Sequence, residues 1–307
     1  MVKNKLIALS LLFLILFSGL AFALYIQLMD LSKPYPYDDV ILVEPSSESV
    51  DTVRIGVISR FPSNILYSGY QPLMDYLTNQ TDFYFELIVN RSYSETVQNL
   101  ASGKVDAAFL GSFIYIASRD QFGLIPIIKP VNQDGNPSFR SHIVVREDSD
   151  IHDIADLIGK RLALPSEQSF SANWLFHYGF HRERIHIDDL ELVHHLDHHH
   201  TVIYEVMRGT YHAGSVKDRV AREFENRGIR ILASSLPVPG SPLVISAKTR
   251  KEVSDAIKSA LLAIDVRKPE YQAMIANWDP EFFFGFVEAK PEDYDLMHNR
   301  FGEMLQP

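Results

Sequence analysis

Short apolar runs that alternate with helix-like runs constrain the fold of this chain more than any other feature. Residues 53–58 and 105–110 have the length and apolar content of buried strands. Helix-like runs follow the strands and place apolar residues on one helical face, as at Leu73, Met74 and Leu77. Strands that alternate with helices predict an α/β protein with mostly parallel sheets.

Ligands of such sheets gather at the carboxyl ends of the strands. In the first half of the chain these ends are predicted at residues 59–64, 90–93 and 111–112. We expect a loop at residues 59–69 and place Pro72 in the first turn of the helix that follows. The tail, residues 271–305, is predicted as helical pieces that pack rather than form a site.

Two segments of the chain match each other at a constant offset. Each contains a loop, a helix, a glycine and a strand, with Gly103 matching Gly209 and Tyr93 matching His199. Two similar α/β lobes, each offering one such loop, would face each other across a cleft. A chance coincidence of helical periodicity is the alternative.

A turn with two serines, Ser169 and Ser171, follows a strand-like run at residues 161–164 and opens a helix-like run at residues 173–178. The first backbone N–H groups of a helix have no partner within the helix and carry partial positive charge, which suits an oxyanion. Serine hydroxyls at that place either cap the helix or donate to the same anion. From these residues alone, capping is the simpler interpretation.

Two lysines precede an uncharged apolar run at residues 6–29. Residues 1–29 are therefore predicted as a signal peptide or membrane anchor, with the folded part outside the cytoplasmic membrane. Residues 21–23 fit an Ala-x-Ala cleavage site, yet the apolar run is long enough to remain as an anchor. Residues 30–51, rich in proline, serine and acidic residues, are predicted as a linker.

Composition and motifs exclude several classes of function. The chain has no cysteine, which removes disulfides, thiolate metal sites, cysteine nucleophiles and a lipoprotein anchor. Its formal net charge of -10 and the lack of a basic stripe argue against nucleic-acid binding. The sequence contains no nucleophile elbow, P-loop or HExxH zinc motif. We therefore predict that the protein is not an enzyme and uses no cofactor.

Residues 194–200 form a dense histidine cluster: His194, His195, His198, His199 and His200. Imidazole is a common metal ligand, so a zinc site is one interpretation. Adjacent residues of a strand point to opposite faces, however, so few of these rings can converge on one ion. We expect one ligand-facing histidine, His199, and no metal site, with metal binding by the cluster as the alternative.

Six motifs follow one another in a fixed order along the chain. They are YQPLMDYL at residues 70–77, GKVDAAFLG at 103–111, FRSHIVV at 139–145, IADLIGKR at 154–161, SFS at 169–171 and PVPGSP at 237–242. Over residues 53–264 this order resembles the periplasmic binding proteins of phosphate, phosphite and phosphonate ABC importers, the PhnD-like family. So many motifs in order make the resemblance specific for the family and less so for the ligand.

The resemblance implies an α/β fold of two lobes, the type II periplasmic-binding-protein fold, with the ligand in the cleft between the lobes. Two crossover strands would join the lobes near residues 138–142 and 236–242. Residues 52–139 plus 241–307 would form lobe 1, and residues 140–240 would form lobe 2.

In the family, a tyrosine of the first lobe, a Ser-Thr-Ser-like helix start and a histidine of the second lobe hold the oxyanion. The resemblance therefore implies the ligand-binding residues Tyr93, Ser112, Ser141, Ser169, Phe170, Ser171 and His199. Three departures stand out. Phe170 replaces a usual threonine, Ala172 replaces a usual glycine, and His212 stands where an acidic residue is common, which argues against an aminophosphonate ligand.

We accordingly predict an extracytoplasmic solute-binding protein, monomeric, that captures a small phosphorus oxyanion (phosphate, phosphite or phosphonate) for an ABC permease. The N-terminal segment, residues 6–29, would connect it to the membrane. If His199 donates from both nitrogens, it must be protonated, and affinity should weaken as pH rises. The alternative is a membrane-tethered ligand-sensing module that acts on a receptor or sensor kinase.

Overall fold

A computed structural model of the chain describes residue 13 and residues 17–20, 51–176 and 180–301. Most of the predicted signal or anchor and most of the linker lie outside the described residues. Among the residues that are described, no helix is long and apolar enough to cross a membrane. Residues 50–307 form one compact unit, to which every element below belongs.

The described part of the chain contains strands and helices in alternation. The strands are β1 (Thr52–Val57), β2 (Tyr84–Val89), β3 (Ala107–Phe109), β4 (Ile125–Pro130), β5 (Ser138–Phe139), β6 (Ser141–Arg146), β7 (Arg161–Leu164), β8 (Leu192–His195), β9 (Ala213–Lys217), β10 (Ile229–Ser234), β11 (Val238–Pro239), β12 (Leu243–Ile245) and β13 (Phe286–Glu288). The helices are α1 (Ser63–Gln80), α2 (Tyr93–Ser102), α3 (Ser112–Phe122), α4 (Phe170–Trp174), α5 (Phe180–Glu183), α6 (His199–Met207), α7 (Asp218–Phe224), α8 (Lys251–Leu262), α9 (Pro269–Ile275) and α10 (Asp295–Phe301).

Two large sheets organise the unit. The first has six strands in the order β13-β4-β12-β3-β1-β2, and the second has five in the order β10-β6-β9-β7-β8. We call the first sheet with its helices lobe 1 and the second sheet with its helices lobe 2. The finer lobe boundaries given above remain a prediction.

Two short strands cross between the lobes side by side. β5 and β11 pair antiparallel, with Val238 opposite Phe139 and Pro239 opposite Ser138. Both lie within the predicted crossovers, which are therefore confirmed. Their pairing places the two connections next to each other, as a hinge between two lobes requires.

The prediction of mostly parallel sheets was only half right. β1 pairs in parallel with β2 and β3, and β7 pairs in parallel with β8 and β9. β6 and β12, however, are antiparallel to both of their neighbours. Each of these strands comes directly after a crossover. The chain therefore enters the sheet from the side facing the other lobe and runs antiparallel to the neighbouring strands, which end on that side.

The internal repeat predicted from the sequence is confirmed. α2 begins at Tyr93 and α6 begins at His199, and β3 and β9 follow them after matching glycines. Gly103 and Gly209 adopt positive φ angles of 79° and 78°, a conformation that only glycine adopts without strain. Each lobe therefore ends a parallel strand in a loop and starts a helix at the edge that faces the other lobe.

Two helix starts differ from the sequence prediction. α1 begins at Ser63, so Pro72 lies inside the helix rather than in its first turn. The buried face of α1 already includes Leu66 and Tyr70, and this burial outweighs the hydrogen bond that the proline cannot make. α4 begins at Phe170, one residue after its cap Ser169, and not at residue 173.

Candidate functional site

A small cavity lies between the two lobes, at the carboxyl ends of β1, β2 and β3 on one side and of β7, β8 and β9 on the other. Its volume is about 30 Å³. The predicted residues that line it are Tyr93, Ser112, Ser169, Phe170, Ser171 and His199. Ser141 does not line the cavity, but its Oγ lies 2.6 Å from Ser171 Oγ. The structure thus brings the predicted residues together from both lobes.

The serine turn combines capping with an available proton. Ser169 Oγ accepts a hydrogen bond from the backbone N–H of Ala172 (3.1 Å), which caps α4. A hydroxyl has one proton and two lone pairs, so Ser169 can cap the helix and still donate to a ligand. Ser171 is almost fully buried and has Ser141 as its hydroxyl partner. The two interpretations of this turn are therefore compatible.

Lobe 1 contributes a phenol and a structural serine. Tyr93 is the first residue of α2 and is buried, and burial raises the pKa of its phenol, which therefore stays protonated and able to donate. Ser112 Oγ donates to the carbonyl of Pro239 in the second crossover (2.6 Å). That bond uses the only hydroxyl proton of Ser112, so this side chain ties α3 to the crossover instead of donating to a ligand.

His199 is held as a neutral imidazole. Its Nδ1 accepts the backbone N–H of Lys217 (3.2 Å), which leaves the proton on Nε2. Burial, and after it the nearby cations of Lys217 and Arg60, hold the pKa of His199 well below its usual range. This arrangement contradicts the protonated, doubly donating histidine expected from the sequence. One Nε2–H donor remains available to a ligand at every pH near neutrality.

Three charged side chains that carry no marked signal in the sequence lie in or beside the cavity: Arg60 and Lys217 line it, and Glu281 pairs with both. Their side chains are only 4%, 7% and 8% exposed. Lys217 Nζ lies 2.5 Å from Glu281 Oε1, and Arg60 Nη2 lies 2.5 Å from Glu281 Oε2. Ser241 Oγ accepts from both cations, at 3.0 Å from Lys217 and 3.3 Å from Arg60. We call these four residues the charge cluster.

The charge cluster has an excess of positive charge, because two cations share one carboxylate. Burial alone would raise the pKa of Glu281, but attraction to Arg60 and then to Lys217 outweighs it and lowers the pKa to about 2. Burial lowers the pKa of Lys217, and Glu281 opposes that change. Arg60 Nε is buried without an acceptor among the described residues. Arg60 and Lys217 line the cavity, so an anion bound there would face the net positive charge of the cluster.

Signals for these residues were present in the sequence but weak. Arg60 lies within residues 59–64, a predicted strand end. Lys217 is the last residue of β9, at the end of the strand that faces the cavity. Glu281 belongs to the tail, residues 271–305, where the sequence predicts packing rather than a site, and it forms an ion pair with Lys217.

Further contacts join the lobes around the cavity. His198 Nδ1 lies 3.0 Å from the carbonyl oxygen of Ser59, so this ring donates across the cleft. Gln168 Nε2 donates to Ser94 Oγ (2.5 Å). Arg219 of lobe 2 pairs with buried Asp279 (3.3 Å). With the lobes in contact on several sides, the cavity is in a closed arrangement.

The other rings of the histidine cluster point to separate partners. His195 Nδ1 bonds the carbonyl of Pro165 (3.0 Å), His200 Nε2 lies 3.2 Å from Glu223, and His194 bonds the hydroxyl of Tyr211. Within residues 51–176 and 180–301, no three histidine, aspartate or glutamate side chains are grouped so that they could hold a metal ion.

Two of the departures from the family pattern have a structural explanation. Phe170 packs edge-on against Phe139 (5.8 Å between ring centroids) and Phe301 (5.6 Å), so its ring forms an apolar wall of the cavity. His212 Nδ1 accepts the backbone N–H of Arg161 (2.9 Å) just before β9, at the end of that strand opposite to Lys217. His212 therefore stabilises the sheet and has no contact with the cavity.

Comparison with known proteins agrees with this architecture. Residues 55–294 match the family model described as ABC transporter, phosphonate, periplasmic substrate-binding protein. The phosphate-import protein PhnD of Mycolicibacterium smegmatis is 28% identical over 124 residues, which is 39% of this chain and 39% of that protein. The matched part thus spans about two fifths of the length of this curated relative.

Two solved structures share the fold at low sequence identity. PhnD1 from Prochlorococcus marinus in complex with methylphosphonate superposes with a TM-score of 0.72 at 16% identity, over 83% of this chain and 98% of that chain. A binding-protein component of an ABC phosphonate transporter from Pseudomonas aeruginosa gives 0.70 at 16% identity, over 84% and 89%. The fold is the two-lobed, type II periplasmic-binding-protein fold, and the family binds substrates for transport and is not a family of enzymes. The chain belongs to the family of periplasmic substrate-binding proteins of phosphonate ABC transporters.

Proposed function

We propose that this protein captures a small phosphorus oxyanion (phosphate, phosphite or a small phosphonate) in the interlobe cavity and delivers it to an ABC permease. One observation carries the proposal: hydroxyl, phenol and imidazole donors from both lobes meet a buried cluster of net positive charge in a cavity of about 30 Å³. Donors in a site that excludes water form strong, charge-assisted hydrogen bonds with an oxyanion. The small volume favours a ligand with few atoms beyond the phosphorus and its oxygens.

Each donor has a distinct role in this proposal. Tyr93 donates its phenol proton from lobe 1, and Ser169, Ser171 and the Nε2–H of His199 donate from lobe 2. Arg60 supplies positive charge and the Nε–H that has no other acceptor among the described residues. Because these donors belong to different lobes, a bound oxyanion links the lobes and favours the closed arrangement.

Ser171→Ala should weaken binding of methylphosphonate by about 10- to 100-fold, since a lost hydrogen bond to a charged group costs roughly 1.5–3 kcal/mol. Ser118→Ala is the matched control, because Ser118 is also a buried serine but donates to Ile114 within α3 (2.6 Å), away from the cavity. Isothermal titration calorimetry with phosphate, phosphite and methylphosphonate measures both variants. Equal affinities of the two variants, or no heat with any ligand on the wild type, would refute the proposal.

The contribution of His199 to binding should not depend on pH near neutrality. The pKa of His199 lies well below the usual value of about 6.5, so the ring is neutral near pH 7 and carries its proton on Nε2. The ratio of dissociation constants between His199→Gln and wild type should therefore vary by less than about twofold from about pH 6 to about pH 8. Ionisation of the ligand changes both dissociation constants by the same factor, so it cancels in their ratio. A ratio that falls steadily as pH rises would restore the protonated histidine expected from the sequence.

The sensory alternative has no support in the family match, whose description is that of a transport protein. The predicted membrane connection through residues 6–29 and the monomeric state remain predictions. Permease dependence can be tested by transport: cells that carry the matching permease should take up labelled ligand only when this protein is present. Uptake that is unchanged without the protein would argue against the transport role.

A further inference from the structure

A second, larger cavity adjoins the oxyanion cavity. Its volume is about 190 Å³, compared with about 30 Å³ for the oxyanion cavity. It lies beside the crossovers, and its lining includes Asn132, Arg219, Arg222, Phe283 and Phe284. A substituent of several atoms would fit there, so the barrier between the two cavities decides which phosphonates the protein can hold.

The barrier consists of the two side chains that line both cavities, Lys217 and Phe139. Lys217 Nζ lies 4.4 Å from the centroid of the Phe139 ring. Its partners stand on opposite sides: Ser241 lines only the oxyanion cavity, and Glu281 lines only the larger cavity. The ammonium group is thus fixed on the boundary between the cavities.

Ion pairing makes this barrier stiff. Glu281 holds Lys217 through one carboxylate oxygen and meets Arg60 with the other. All three side chains are more than nine-tenths buried. Moving Lys217 aside would separate it from its buried counter-ion, and a buried charge without its partner is costly. A ligand substituent therefore cannot displace the barrier easily.

We propose that the Lys217–Glu281 pair, seated on Phe139, is a size filter that closes the oxyanion cavity against the larger cavity and restricts the ligand to unsubstituted or one-carbon phosphorus oxyanions. The filter rests on the proposed function, because it assumes that the oxyanion binds beside Tyr93, Ser171 and His199. It goes further by naming the residues that decide which members of the ligand class bind.

Two double variants separate the volume of the barrier from its charge. Lys217→Ala with Glu281→Ala removes one cation and one anion, so the net charge of the cluster is unchanged and the cavities join. Lys217→Met with Glu281→Gln also leaves the net charge unchanged but keeps most of the volume. Arg60 loses its carboxylate partner in both variants, but it no longer faces a second cation, so both should be less destabilised than Glu281→Gln alone and are expected to fold. Phe139→Ala opens the same barrier without altering a charge.

The test is calorimetric binding of methyl-, ethyl- and n-propylphosphonate to the wild type and these variants. For the wild type, affinity should fall by about 100-fold from methyl to propyl, because overpacking a closed site is strongly unfavourable. In the double alanine variant and in Phe139→Ala this fall should shrink to less than about tenfold, whereas the Met/Gln variant should discriminate like the wild type.

The outcomes distinguish this inference from the function on which it rests. A wild type that binds propylphosphonate as tightly as methylphosphonate, or opened variants that bind methylphosphonate and discriminate like the wild type, would overturn the filter and leave the proposed function intact. A wild type that binds none of the phosphonates, nor phosphate or phosphite, would overturn both.

Discussion

Replacing Glu281 by glutamine is expected to lower the free energy of unfolding of the ligand-free protein by about 3–5 kcal/mol, the usual cost of removing one partner of a buried ion pair. Without the carboxylate, the cations of Arg60 and Lys217 would face each other in a region almost closed to water. Urea unfolding followed by circular dichroism measures the change. An anionic ligand would take over part of the role of Glu281, so ligand should stabilise the variant more than the wild type.

Lys217→Met is the control for this prediction. It leaves Arg60 and Glu281 as a neutral pair and keeps an unbranched chain over Phe139. It should therefore lower the free energy of unfolding by less than half as much as Glu281→Gln. The two substitutions remove charges from the same contact. If both substitutions lowered the free energy of unfolding equally, the lost contact and not the unbalanced charge would explain the effect. The electrostatic explanation would then be wrong.

The effect of Glu281→Gln should also depend on pH with a defined sign. The pKa of Glu281 is lowered from 4.5 to about 2 in the folded protein. The ionised carboxylate therefore stabilises the fold fully above about pH 4.5, and this contribution is lost as pH falls toward about 2. The difference in free energy of unfolding between wild type and Glu281→Gln should therefore shrink as the pH falls over that range. A difference in free energy of unfolding that stays constant down to about pH 2 would contradict the lowered pKa of Glu281.

The parts of the site that could be predicted from the sequence are those with local signals. Tyr93 and His199 each follow a strand and begin a helix, and the matching glycines Gly103 and Gly209 align the two units. The serine turn likewise follows a strand that ends at Leu164. Strand ends, helix starts and positive-φ glycines leave marks within a few residues, so one sequence suffices to find them.

The charge cluster could not be predicted in the same way, because its members meet only in the folded chain. Arg60, Lys217 and Glu281 come from a loop of lobe 1, the end of β9 and the tail, far apart in sequence. Charged residues are usually exposed, so nothing local marks these three as buried. The antiparallel entry of β6 and β12 was missed for a similar reason, since strand direction depends on where the crossovers enter each sheet.

The second large effect concerns Gly214 in β9, where Gly214→Ala is expected to lower the free energy of unfolding by about 3 kcal/mol, the upper end for overpacking a core. A Cβ at this position would overlap Val202 Cγ1 and lie 3.0 Å from Val206 Cγ2, both on α6. Val202 and Val206 are fully buried, and branched side chains of this kind have little rotamer freedom in a helix. The clash can be relieved only if α6 moves away from β9.

That movement would reach the ligand site, because α6 begins at His199 and β9 ends at Lys217, and these two residues share a hydrogen bond. Gly214→Ala should therefore weaken oxyanion binding as well as stability, although Gly214 does not line the cavity. Gly111→Ala is the control for stability alone, because Gly111 lines the cavity. A Cβ there meets only ordinary contacts, the nearest at 3.5 Å, and its effect on stability should stay within about 1 kcal/mol. If Gly214→Ala were as stable as the wild type and bound the oxyanion with unchanged affinity, the prediction would be wrong. The close packing of α6 on β9 would then have no part in binding.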